Sequence, residues 1–433
     1  MLANSTLRAT TYNHPTLSEP DFLARRIDWY YRDRVQDAWG GGHILRGRIP
    51  QPDAIQVLSN DYLSLANNPE IVRAQANVLL KEGNGMLMSA VFLMNGNNPT
   101  REFEQRLAHF LQAEDGVLCQ SGFCANTGLL QSIADEDTPV YIDMFAHMSL
   151  WEGIRSAGAR AVPFHHNDPR HLERQVLKNG PGIIVVDSIY STSGSVCPLV
   201  EMVEIGNAHN CVLVVDESHS LGTHGENGEG LVASLGLANR VHFRTASLAK
   251  AFAGRGGFIT CSARFSDYFK CEARPAIFSS TLLPHEIAGF EATLRIIRTE
   301  KWRREKLREN AAYIRGHLTE LGYNLQNSAS QIISLEAGPD SQTIILRDAL
   351  ESRGIFGAAF ATPAAPKNRS LIRFSIRCDL TKVELDRIVQ VCDEIRDEVQ
   401  LKDWPSTRRM RVSREAASHM KSSNPMNEVS LAA

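Results

Sequence analysis

The stretch Thr245–Phe258 reads TASLAKAFAGRGGF and holds one lysine, Lys250, in a run of small side chains. Small neighbours let a bulky group come close to the backbone. A lysine in such a place is either a phosphate ligand or a covalent amine. The phosphate-loop pattern GxxxxGK[ST] is absent, and the lysine precedes its glycines rather than following them. Other polar residues stand just after apolar runs of strand length. Ser121-Gly122-Phe123 follows GVLCQ and opens a helix-like segment. Such a turn exposes N–H groups and a positive dipole end to an anion, or else is a plain helix cap. His147 follows VYID, Ser188 and Ser191 follow GIIVVD, and Asp216-Glu217-Ser218-His219 follows CVLVV. A lone histidine is more often structural, and Asp216 is either a helix cap or a partnered carboxylate, since buried Asp is rare unless paired.

Taken together these are a phosphate cradle, an aromatic able to stack, a strand-end acid, hydroxyls and an amine. They fit pyridoxal 5′-phosphate. Its aldehyde needs an amine, its ring nitrogen a carboxylate, and its phosphate N–H and O–H donors. Lys250, Asp216 and the Ser121-Gly122 turn supply these in that order, with room made by the Ala and Gly crowding.

The elements that must position these groups are legible as pattern. Apolar runs at GVLCQ, VYID, GIIVVDS, CVLVVDES, RVHFRTAS and GGFITCS alternate with helical segments such as TREFEQRLAHFLQ. Several runs are apolar on consecutive positions, which suits strands buried on both faces of a mainly parallel sheet. Ligands of such folds gather at the carboxyl ends of the strands. The expected organisation is a helical arm and linker (1–55, with DFLARRIDWYYRD as the helix) and a large α/β domain (56–290). A small C-terminal α+β domain (291–403) and a disordered basic tail (404–433) follow. A long charged helix is expected at about 290–320. The last helix starts with a Thr381-x-x-Glu384 capping box and buries Leu385, Ile388, Val389, Cys392 and Ile395.

Bulk properties narrow the partners. A net charge of −3 argues against nucleic acid as the main partner. No apolar run approaches a membrane span. The N-terminus lacks a signal-peptide apolar region, and the eight cysteines are scattered without CxxC pairs or a zinc-like His cluster. The expectation is a cytoplasmic protein with reduced thiols and no metal.

SNDYLSLANNPE (59–70), SGFCAN (121–126), DESHSLGTHGENGEG (216–230), SLAKAFAGRGG (247–257) and LIRFS (371–375) resemble the α-oxoamine synthases over about residues 20–400. These are fold-type I pyridoxal-phosphate enzymes that condense an amino acid with an acyl-CoA, releasing CO₂ and CoA. VYIDMFAHMSLWEG (140–153), GPGIIVVDSIYSTSG (180–194) and AIFSSTLLPHE (276–286) are similar to one branch, the quorum-sensing autoinducer synthases. The resemblance implies Lys250 as Schiff-base lysine and proton carrier, Asp216 on the ring nitrogen, and His147 stacked on the ring. It implies Ser191 and His219 at the phenolic oxygen, and Ser121, Gly122, Phe123 and Ser247 at the phosphate. Ser280 or Thr281 would reach the phosphate from the other subunit of a homodimer. Asn60 and Arg373 would contact substrate, Arg373 holding the amino acid carboxylate.

The implied substrates are S-adenosylmethionine or 2-aminobutyrate and a medium- or long-chain acyl-CoA, and the product is an α-aminoketone. Rival readings are a standard synthase using glycine, alanine or serine, an aminotransferase, and a cofactor-binding regulator. The segment GNGMLMSAVFLMNGNNPTREFEQ (83–105) departs from the family in its apolar run, read either as repacked core or as an acyl-chain lining. The loop IYSTSGS (189–195) departs as well, which touches the part assigned to Ser191.

Overall fold

The computed structural model describes residues 17–94, 96 and 98–410. The consecutively apolar runs become β1 (Asp115–Cys119), β2 (Pro139–Asp143), β3 (Arg160–Phe164), β4 (Ile183–Asp187), β5 (Val212–Asp216), β6 (Phe243–Ser247) and β7 (Gly257–Cys261). They form one sheet in the order β1-β7-β6-β5-β4-β2-β3. Only β7 runs against its neighbours; the rest are parallel. All five residues of β1, β2, β4 and β7 are buried. Neighbouring residues of a strand enter different cores. Ile183 and Val185 pack on one face with Val140 and Ile142, while Ile184 and Val186 pack on the other with Tyr141. A strand covered on both sides has no use for polar alternation, and each Val or Ile fully buried contributes about 1.5–3 kcal/mol.

The helices that shape the site are α1 (Asp21–Trp29), α2 (Gly122–Ile133), α3 (Met148–Ala157), α4 (Pro284–Thr299), α5 (Lys301–Glu320) and α6 (Lys382–Glu394). The one long charged helix expected at 290–320 is two helices, broken at Glu300, whose φ of −98° and ψ of 64° leave the helical region. In the C-terminal lobe β8 (Ile332–Gly338), β9 (Ala358–Phe360) and β10 (Ser370–Ser375) form an antiparallel sheet in the order β9-β10-β8. The Thr381/Glu384 capping box is present. Leu385, Ile388, Cys392 and Ile395 are buried, with Val391 buried and Val389 only partly so.

α1 continues into wider turns over Tyr30–Ala38. This arm leans on the C-terminal lobe: the Trp39 indole N–H donates to Asp340 at 2.8 Å and Arg34 to the Thr362 carbonyl at 2.8 Å. Residues 55–56 then pair in parallel with 355–356. The boundary expected at 404 is corrected. Residues 405–410 are helical, and Trp404 is 2% exposed against Tyr323, its ring filling the lobe's core edge. Residues 411–433, and 1–16 of the arm, lie outside the described residues. No helix among the described residues is long and apolar enough to cross a membrane.

Candidate active site

The carboxyl ends of β2, β4, β5 and β6 open onto a cavity of about 350 Å³. Its lining includes Asn60, Ser121, Gly122, Phe123, His147, Ser191, Asp216, His219, Ser247, Lys250 and Arg373. Eleven of the thirteen candidate residues therefore meet in one place, from segments as far apart as 60 and 373. Ser280 and Thr281 do not line it. In this chain their segment lies along Met88–Ser89, where the Thr281 N–H donates to the Met88 carbonyl at 2.7 Å.

Asp216 ends β5 and is 5% exposed. Its carboxylate accepts from Asn126 Nδ2 at 2.7 Å and from the Ser218 N–H at 2.8 Å. Asn126 is itself fixed, because its Oδ1 accepts from Thr245 Oγ1 at 2.6 Å. Lys250 also lines the cavity, and burial together with the Arg373 charge lowers its amine below the ordinary lysine value, with Asp216 opposing. Asp187 sits beside Asp216 across the β4–β5 ladder. Burial, reinforced by the Asp216 charge, raises it well above the usual carboxylate range.

His147 caps α3, its Nδ1 2.7 Å from Ser149 Oγ. Burial lowers it below the ordinary histidine value. His219 is lowered well below that value by burial first, then by Lys250 and Arg373. Its Nδ1 is 2.7 Å from the Tyr62 hydroxyl, whose own pKa burial raises. Burial thus disfavours the charged form of both imidazoles.

Ser121 caps α2 by accepting the Cys124 N–H at 3.1 Å, so the first N–H groups of α2 point toward the cavity end. A Cβ at Gly122 would sit 2.6 Å from the Ser247 Cβ, which fixes how closely the cradle's two sides meet. The crowding after Lys250 has a different cause from the one expected. A Cβ at Gly254 would meet the Phe290 ring at 2.4 Å, and one at Gly257 the Ser121 carbonyl at 2.2 Å. What approaches the backbone there is the fold itself, an α4 side chain and the cap of α2.

Arg373, 4% exposed, donates to the Ser191 carbonyl and to Asn60 Oδ1, each at 2.8 Å. Its Nε is buried without a partner among the described residues. The guanidinium lies over the Phe360 ring, 4.7 Å from its centroid. A planar cation with a free buried donor suits a carboxylate.

Sequence reasoning passed over Asn126, Asp187, Ser218 and Phe360, all of which line the cavity. Asp187 carried the same signal as Asp216, an acid ending an apolar strand. Asn126 lay inside SGFCAN, a polar residue on the inner face of a helix. Phe360 carried none.

The apolar run 86–94 is neither core nor cavity lining within one chain. Met86, Leu87 and Phe92 are 73%, 67% and 73% exposed, and only Ala90 is buried. The run forms a short turn at Ala90–Leu93 on the outside of the molecule.

The sheet order, the strand-end cavity and its lysine–aspartate pair define a fold-type I pyridoxal-phosphate-dependent transferase. Residues 52–391 match the family model "Aminotransferase class I and II". The chain belongs to that family and, within it, to the α-oxoamine synthases. It is 46% identical over 375 residues to a CAI-1 autoinducer synthase of Vibrio campbellii, covering 87% of this chain and 95% of that one. It is 30% identical to 8-amino-7-oxononanoate synthase 1 of Bacillus velezensis, covering 89% of this chain and 100% of the relative. In fold it is similar to a serine palmitoyltransferase of S. paucimobilis, with a TM-score of 0.78 at 24% identity, over 88% of this chain and 98% of that one.

Proposed function

We propose that this chain condenses an amino donor, S-adenosylmethionine or 2-aminobutyrate, with a medium- or long-chain acyl-CoA. The donor's α-C–H bond breaks, a C–C bond forms between that carbon and the acyl carbonyl, CoA leaves as thiol, and the donor's carboxylate leaves as CO₂. Where the donor is S-adenosylmethionine, its sulfonium group is first eliminated as the neutral thioether. The product is an α-aminoketone, precursor of an α-hydroxyketone signal. One observation carries the reading: buried Asp216, a lysine of lowered pKa and a half-satisfied arginine face one cavity at a helix N-terminus. Its closeness to a relative named CAI-1 autoinducer synthase supports the branch.

The cofactor is pyridoxal 5′-phosphate, and the residues fit it: a buried carboxylate, an amine and an anion-binding turn line the same space. When bound, it supplies an aldehyde that joins an amine and a ring that accepts electrons. Asp216 would keep the ring nitrogen protonated, held in place by Asn126. Lys250, its charge disfavoured by burial, takes the donor's α-proton and returns it. His147 would offer a flat face for stacking, and Ser191 and His219 would hold the phenolic oxygen. The Gly122 and Phe123 N–H groups, with the Ser121 and Ser247 hydroxyls, would hold the phosphate. Arg373 and Asn60 grip the donor's carboxylate.

A homodimer completes this arrangement. Ser280 and Thr281, outside the cavity of their own chain, would serve the phosphate of a second copy. Exposed Phe92, Phe123, Met148 and Phe278 form apolar surface for that copy to cover. The apolar run 86–94 then borders an acyl-chain path only within the dimer. The eight free cysteines, six of them buried, agree with a cytoplasmic protein.

A standard synthase using glycine, alanine or serine is the second reading, favoured by the 30% identity to an 8-amino-7-oxononanoate synthase. A panel of donors with one long-chain acyl-CoA separates the two by thiol release. Release with S-adenosylmethionine or 2-aminobutyrate supports the first reading, and release confined to glycine, alanine or serine overturns it.

A further inference from the structure

Beside the cavity a second polar chain runs through the ends of β2 and β4. Asp143 accepts from His166 Nδ1 at 2.9 Å, from the Tyr190 hydroxyl at 2.9 Å, and from the N–H groups of Phe145 and Asn167 at 2.8 and 2.9 Å. On the other side of the ring, Nε2 is 2.8 Å from Ser195 Oγ, and Ser195 Oγ is 2.7 Å from Ser193 Oγ. The imidazole stacks on Phe145 at 4.5 Å and meets Tyr190 edge-on at 4.4 Å, so it has one orientation. The order Asp, His, Ser is that of a hydrolase triad. Ser195 is only 5% exposed and its oxygen is tied to Ser193, so no substrate carbonyl reaches it.

The backbone of the same loop faces the C-terminal lobe. Four carbonyls in a row are taken by that lobe: Ser191 by Arg373 at 2.8 Å, Thr192 by Ser334, Ser193 by Ser328 at 2.8 Å, and Gly194 by Ser330 at 2.9 Å. Gly194 has φ +70°, and a Cβ there would lie 2.1 Å from the Ile332 carbonyl. The loop is thus pinned by side chains on one side and by carbonyls on the other.

We propose that His166, braced by Asp143, is a positioning residue: through Ser195 and Ser193 it sets the loop whose Ser191 carbonyl aims Arg373. Nothing assigned to the reaction so far uses this group. The inference rests on the reading that Arg373 receives the donor's carboxylate.

The test compares His166→Ala, His166→Gln and Ser195→Ala in the holoenzyme, with Arg373→Lys as reference. His166→Ala should raise KM for the amino donor about tenfold, the size of one lost hydrogen bond, with kcat and acyl-CoA KM within about twofold. His166→Gln, which can donate to Asp143 and accept from Ser195, should restore most of the donor KM. Ser195→Ala removes one hydroxyl and should reproduce part of the rise even if His166→Ala fails to fold. An unchanged donor KM in His166→Ala and Ser195→Ala, beside a raised one in Arg373→Lys, overturns the inference. So does an even loss across kcat and both KM values, which marks a merely structural residue. An unchanged donor KM in Arg373→Lys overturns the carboxylate reading instead.

Discussion

Asn126 Nδ2 lies 2.7 Å from Asp216 Oδ2, so the second turn of α2 holds the carboxylate at the end of β5. The helix whose N-terminus is proposed as the phosphate cradle also orients the acid at the end of β5. Asp216→Asn should lower turnover by roughly 10²–10⁴, the scale of losing a key electrostatic partner, while cofactor still binds. Asn126→Ala removes one charge-assisted hydrogen bond and should lower turnover roughly 10- to 100-fold. Steady-state rates on both variants check this, and a loss below twofold in each would refute the role given to the pair.

Lys250→Ala should keep the fold and lose both turnover and the visible absorbance of the lysine-bound cofactor. Borohydride treatment followed by peptide mass mapping locates the modified lysine. Labelling of another lysine with full turnover would contradict the assignment.

Gly122 faces Ser247 so closely that a methyl group must displace one of them. Gly122→Ala should destabilise the protein by about 1–3 kcal/mol, as overpacking does, and weaken cofactor binding as well. Thermal melts with and without cofactor measure both effects. An unchanged melting point in both would show that the two sides of the cradle can part freely.

His147 and His219 are both lowered by burial, His219 the more strongly. The unfolded chain therefore binds protons at these rings before the folded one does. Their neutral state favours folding above the ordinary histidine value of about 6.5, and stability is lost as pH falls below it toward the folded-state values. The melting point should drop with pH below about 6.5. His219→Gln should flatten that slope; an equally steep slope would remove His219 as its source.

The parts of the site carried by strand ends were legible, because an apolar run announces the strand and the next polar residue announces the ligand end. Lys250, Asp216, His147 and Ser121 come from that logic alone. Arg373 and Asn60 needed the family resemblance, since their meeting at 2.8 Å is made by the C-terminal lobe folding back on residues 55–62. Phe360 beneath Arg373 left no local signal. The Gly/Ala crowding after Lys250 was visible, but its partners Phe290 and Ser121 lie far off in sequence. The run 86–94 misleads because apolar composition marks contact without saying whether its own chain or a second copy makes it. Trp404 shows the converse, one aromatic anchoring a segment of otherwise polar composition.

The reaction proposed for this chain is a decarboxylating condensation. Its most direct measurement follows an amino donor labelled with ¹³C at the carboxyl carbon, mixed with a long-chain acyl-CoA, cofactor and protein. The label should leave wholly as CO₂, with one CoA thiol released per α-aminoketone formed. Label retained in a keto acid, with amino transfer to a keto-acid acceptor and no thiol release, would contradict it.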